Sequence, residues 1–232
     1  MSTLFSAYVV AVVLGVAYAM QRFLPRPYSG RALLGLLAWV AYMTALGYGG
    51  VIADAKLVPP GLFYAMVPTI MLAVFTASTA AGKVIATSIP VSLLVAAQSF
   101  RLVVELFLHG LWREGLLPTM MTYHGANYDI VVGASAPVVA WLLARGLLPA
   151  RLALLWNAVG IAMLANVAGR GVLTAPGVLH LVATEVPNLA VGTFPYSYIP
   201  GLMVPLALVL HILAIRALRD RMPRGSGASH SA

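Results

Sequence analysis

The sequence predicts an all-α integral membrane protein of seven transmembrane helices, with its N-terminus outside and its C-terminus in the cytoplasm. Three observations predict it. Of 232 residues, 61% are hydrophobic and only 9% charged, whereas soluble domains carry roughly a quarter charged residues. Seven windows approach the run of about 20 apolar residues that a bilayer requires. The basic residues gather in the connections on one side of those windows, as they do on the cytoplasmic side of membrane proteins.

The first window, 5–21, has no basic stretch before it and Arg22 after it, so it reads as a retained span rather than a cleaved signal. The next three are 32–52, ending in "GYGG", then 62–81 and 86–112. The fifth, 130–146, is short and holds Pro137; 151–172 and 200–218 complete the set. Pro90, Pro137 and Pro205 fall within these windows and are expected to kink their helices, leaving carbonyls for neighbouring helices to satisfy. The spans form a single domain, 1–221. The small, polar stretch 222–232 is expected to be a disordered cytoplasmic tail.

Ten of the 14 basic residues lie on one side: Arg22, Arg26, Arg31, Lys83, Arg145, Arg151, Arg216, Arg219, Arg221 and Arg224. Lys56, Arg113 and Arg170 lie on the other, and Arg101 is inside a span. This bias sets the orientation. It also turns a net charge of +8 into a statement about lipid topology instead of nucleic acid. Two long connections then fall outside, Arg113–Asp129 and Thr174–Pro200; the second carries four prolines and the ring cluster Phe194, Tyr196, Tyr198. Such rings suit the headgroup layer.

The absence of cysteine excludes disulfides, thiolate-bound zinc and iron–sulfur clusters. No P-loop, dinucleotide fingerprint or hydrolase elbow occurs. The seventh span has no lysine for a retinal Schiff base, and no cofactor is predicted.

The informative stretch is "QSFRLVVELFLHGLWREG", 98–115. Arg101, Glu105 and His109 are spaced by four and share one helical face. A charge near the bilayer centre costs about 2.5–3.5 kcal/mol, so Arg101 and Glu105 are expected to pair and to face the bundle interior. With His124, Asn127, Asp129, Asn166 and Arg170 they are expected to line a polar cavity that opens outward. Asn157 and His211 are expected to lie deeper, apart from it. Asp129 is equally suited to the N-terminus of the fifth helix. His109, His124 and Glu105 are weak metal candidates, since no HExxH pattern supports them. Against any function stands a packing role, because interhelical hydrogen bonds also hold membrane helices together.

The stretches "FRLVVELFLHGLWREGLLPTMMTYHGANYDIVVG", "WNAVGIAMLAN" with "LTAPG", and "FPYSYIPGLMVPLALVLHILAIRAL" resemble an uncharacterised family of small bacterial inner-membrane proteins. The resemblance runs from Gln98 to the end of the last span. It implies a seven-helix membrane protein whose shared pattern touches Arg101, Glu105, Met121, Thr122, Gly125, Asn127, Asp129, Trp156, Asn157, Asn166, Pro195, Pro205 and His211. It implies no activity.

The leading expectation is a protein of the bacterial inner membrane that binds or transports a small polar or anionic solute, held by Arg101 with Glu105 as partner. One alternative is an accessory or assembly subunit that docks a membrane partner or a second copy. Another is an intramembrane enzyme using Glu105 or His109 in acid–base or metal chemistry. Beyond the lipid bilayer and such a solute, no nucleic-acid partner is expected.

Overall fold

A computed structural model describes residues 1–177 and 180–222. Among these residues it is all-helical, without strands. The helices are α1 (Ser2–Phe23), α2 (Arg26–Tyr48), α3 (Phe63–Ser78), α4 (Ala80–Ser88), α5 (Val91–Ala97), α6 (Phe100–Arg113), α7 (Asp129–Ala144), α8 (Ala150–Leu173) and α9 (Val204–Arg221). Among the described residues, five stretches are long and apolar enough to cross a bilayer: α1, α2, α5 with α6, α8, and α9 with the turn before it. The α3–α4 pair would be a sixth if counted as one bent span. The 16-residue α7 is apolar but shorter. The expected tail lies, from residue 223 on, outside the described residues.

Helix α9 is the hub, packing against α3, α4, α5 and α8. Large apolar side chains point outward along the other helices, including Leu4, Val10 and Leu14 of α1 and Met71, Val74 and Phe75 of α3. In water such a surface would be costly; against lipid tails it is matched.

Two boundaries differ from the sequence expectation. The apolar windows 62–81 and 86–112 hide a separate helix, α4, which bends 78° away from α3. Thr79 makes the break by capping α4, its hydroxyl accepting from the Gly82 amide at 3.1 Å. Arg216 of α9 donates to the Thr76 and Thr79 carbonyls that the end of α3 leaves open. Pro90 therefore lies before α5, at its N-cap, and not inside a span.

Two of the prolines have identifiable partners for the carbonyls they free. Pro205 cannot donate to the Gly201 carbonyl four residues back, and a π turn at Ile199–Met203 precedes it. Trp39 of α2 fills the vacancy, its indole N–H donating to Gly201 O at 2.7 Å. Pro68 of α3 deprives Tyr64 O in the same way, and the Tyr42 hydroxyl of α2 supplies the bond at 2.9 Å. Trp39 and Tyr42, three residues apart, thus latch α2 onto α3 and the start of α9.

Candidate functional site

Three helices meet at Arg101, and a fourth joins through His211. It stands in the first turn of α6, just after the chain tightens through Gln98 and Ser99 into three-residue turns. Asp129 opens α7 and approaches from the facing side, where Gly133 lets the α7 backbone lie against Leu102 of α6; a Cβ there would overlap the Leu102 amide. Arg101 and Asp129 form a two-point pair, Nε donating to Oδ2 at 3.0 Å and Nη2 donating to Oδ1. Both residues are buried, at 2% and 5% exposure. A planar guanidinium matches a carboxylate in this forked geometry, which lysine cannot reproduce.

The third guanidinium nitrogen reaches His211 of α9, with Nη1 to Nε2 at 2.9 Å. Arginine only donates, so the imidazole accepts at Nε2 and carries its proton on Nδ1. That proton points at Asn157 Oδ1 of α8, 2.9 Å away. The Asn157 amide nitrogen ends the chain on Ala153 O at 2.8 Å. Gly160 makes room for the ring, since any Cβ there would strike it.

Glu105, one turn along α6 from Arg101, is 2% exposed. Its Oε1 accepts from Asn127 Nδ2 at 2.7 Å. Asn127 also donates to Met121 O at 3.1 Å and accepts from the Asp129 amide at 3.0 Å, so one side chain fixes the approach to α7. Glu105 Oε2 is buried and, among the described residues, has no hydrogen-bond partner. An orphaned buried carboxyl oxygen is costly.

Glu105, Arg101 and Asp129 form the polar end of a cavity of about 290 Å³. The other walls are almost wholly apolar, from Met66 and Ile70 of α3, Leu164 and Val167 of α8, and Met203 and Leu208. This volume is near the lower end of small-molecule pockets, roughly 300–1,000 Å³.

The sequence-derived site is therefore only partly assembled. Arg101 does not pair with Glu105; Asp129 takes it from across the helix interface, because its two oxygens meet the guanidinium edge to edge. His211 and Asn157, expected to stand apart, are the continuation of the Arg101 network. Their signal was present as polar residues in apolar spans, but counting from span ends misjudged the inward reach of Arg101. The expected polar cavity has apolar walls. Asn166 and Arg170 are not among the residues lining it: Asn166 donates to Ala126 O at 2.6 Å and Arg170 to Asn166 Oδ1 at 3.0 Å, tying α8 to the loop before α7.

His109 and His124 meet at 4.9 Å between ring centroids, stacked with Trp112 and Tyr123. Neither lines the cavity. Among the described residues, no three His, Cys, Asp or Glu side chains gather as a metal-holding group. Beside this stack the long loops are joined. Trp112 donates to the Thr119 hydroxyl at 2.9 Å, and the Thr119 amide donates to Glu185 Oε1. Those hydrogen bonds from Thr119 hold the Glu185 carboxyl below the usual carboxylate range.

The family described as a domain of unknown function (DUF8737) matches residues 59–219. The match spans the whole network and cavity floor, and begins 39 residues before Gln98, taking in α3 and α4. No curated protein matches the chain, and no solved structure does.

Proposed function

The chain belongs to the DUF8737 family, and since membership brings no activity, we propose from the site alone that it is a multi-pass membrane protein that binds one ligand with an apolar body and a hydrogen-bond-donating head. The observation that carries this is Glu105 Oε2, buried without a partner among the described residues at the polar end of an apolar cavity. A hydroxyl or a protonated amine would meet that oxygen while its apolar part fills the space beside Leu164, Val167 and Met203.

The charge balance turns the expected anionic solute into this different class. Arg101 is neutralised by Asp129 and has a third nitrogen engaged by His211. Glu105 has no basic partner of its own, and with all three Arg101 nitrogens engaged an anion brought into the cavity would meet no free cation. The network behind Arg101 also separates the cavity from the end of the bundle that holds His211 and Asn157, which supports binding over free passage.

The membrane reading places α1, α2, α3, α5 with α6, α7, α8 and α9 as seven spans in a bacterial inner membrane, with the N-terminus outside. It is supported by the basic bias of the sequence and by Lys83 and Asp220 meeting at 2.8 Å where α4 and the end of α9 come together.

The test is thermal stabilisation of detergent-purified protein by benzylamine and by benzoate. Benzylamine should raise the melting temperature of the native protein and not of Glu105→Gln, with benzoate inactive on both. Stabilisation by benzoate alone would contradict the proposal.

A further inference from the structure

The cavity is roofed where the expected outward mouth would be. Two segments cover it, one holding Ile52 and Leu62 and the other holding Ala175, Pro176, Asn188, Val191 and Gly192. They are locked together by glycines with no room for a side chain. A Cβ on Gly192 would press against the Ala53 backbone, and one on Gly177 would overlap the Ala55 carbonyl. Gly177 also has φ +85°, a conformation that favours glycine. Within the first segment, a Cβ on Gly61 would overlap the Val51 carbonyl. Asn188, 3% exposed, donates to the Thr174 hydroxyl at 2.8 Å and tightens the second segment.

The side wall is different. Helices α3 and α8 both pack extensively on α9, and they do not pack in the same way on each other. Ile70 of α3 lines the cavity and is 55% exposed; among the described lining residues it is the exposed one. Ala168 of α8 and Leu208 of α9 line the same region and are half-buried. Ile70 is in the middle of α3, flanked by the exposed apolar residues Val67, Met71 and Val74. In a bilayer this opening faces lipid tails, away from water.

We propose that the ligand is a membrane amphiphile, an alkyl or isoprenoid chain with an amine or hydroxyl head, which enters sideways from the bilayer between α3 and α8. The proposal rests on the Glu105 site argued above and adds the route and the ligand class. The apolar walls take the first part of the chain, and the remainder trails through the gap beside Ile70 into the lipid. A cavity of about 290 Å³ therefore has no need to enclose the whole molecule. Among the described residues, the roof offers water-borne solutes no comparable route.

The experiment uses the full chain in phosphatidylcholine vesicles, with hexadecylamine carrying a mid-chain diazirine as the probe. The chain has no cysteine, so Ile70→Cys with Ala168→Cys can be joined selectively by a bis-maleimide. Crosslinking should lower the initial rate of photolabelling of that variant at least tenfold relative to the same variant before crosslinking. In the native protein, label should appear on α3 and α8 around Ile70 and Ala168, which keeps the test alive if the double variant fails to fold. An unchanged rate after complete crosslinking, or label confined to residues 174–192, overturns lateral entry and leaves the Glu105 site standing. Native protein that binds benzylamine and captures no hexadecylamine overturns the lipid class alone. Protein that binds neither overturns the proposed function, and this inference with it.

Discussion

Arg101 and Asp129, 28 residues apart in the chain, form a buried two-point ion pair that fastens the first turn of α6 to the first turn of α7. Each brings a charge that the other compensates, and Asp129 additionally sits where a helix N-terminus favours negative charge. Removing one member should leave the other buried and unpaired.

Asp129→Ala is therefore expected to destabilise the protein by about 3–5 kcal/mol, read by unfolding in mixed detergent micelles. Arg101→Met together with Asp129→Leu should recover a large part of that loss, because two apolar side chains leave no orphaned charge. Equal losses in the single and double variants would show that the pair contributes through something other than mutual compensation.

The latch formed by Trp39 gives a cleaner test of hydrogen bonding. Trp39→Phe should cost roughly 0.6–2 kcal/mol, the range for interhelical bonds in membranes. In a Pro205→Ala background the helix can supply its own donor to Gly201 O, so the added cost of Trp39→Phe should shrink. Identical costs in both backgrounds would mean that ring packing, and not the freed carbonyl, explains Trp39.

Loop docking should depend on pH through Glu185. Its folded-state carboxyl titrates below its ordinary value because of the hydrogen bonds from Thr119. The resulting stabilisation is fully present above the unfolded value, about 4.3, and is lost as pH falls through the lowered folded value. Amide protection factors at residues 180–190 should fall over that acidic window in the native protein. Glu185→Gln should show lower protection at neutral pH and lose this acid dependence.

Topology is testable by single cysteines, since the chain has none of its own. A cysteine at Lys56 should react with an impermeant maleimide in intact cells, and one at Lys83 only after lysis. The reverse pattern would invert the orientation read from the basic residues.

The all-helical class and five long apolar helical stretches were legible in the sequence, because hydropathy reports apolar surface one helix at a time. Arg101, Glu105, Asn127 and Asp129 stood out as polar groups that apolar surroundings must accommodate, and all four belong to the network. Their pairing was not legible. Spacing by four places Arg101 and Glu105 on one face of α6, but it is silent on which helix arrives opposite that face. The close approach of α7 at Gly133, and the space beside Gly160 for His211, are properties of two helices together. The bend after α3 had a local signature in Thr79, the cap of α4, which a continuous apolar window masked. The roof over the cavity was equally hidden, since it depends on Gly177 and Gly192 meeting residues more than a hundred positions earlier in the chain.

In the proposed site, Glu105 Oε2 receives the head of an amphiphilic ligand. The measurement that tests it most directly is solid-state NMR dipolar recoupling between ¹⁵N-benzylamine and protein carrying ¹³C at the glutamate carboxyl carbon. The native protein should show a through-space coupling that disappears in Glu105→Gln. Bound benzylamine with no such coupling, or a coupling that survives the substitution, would contradict it.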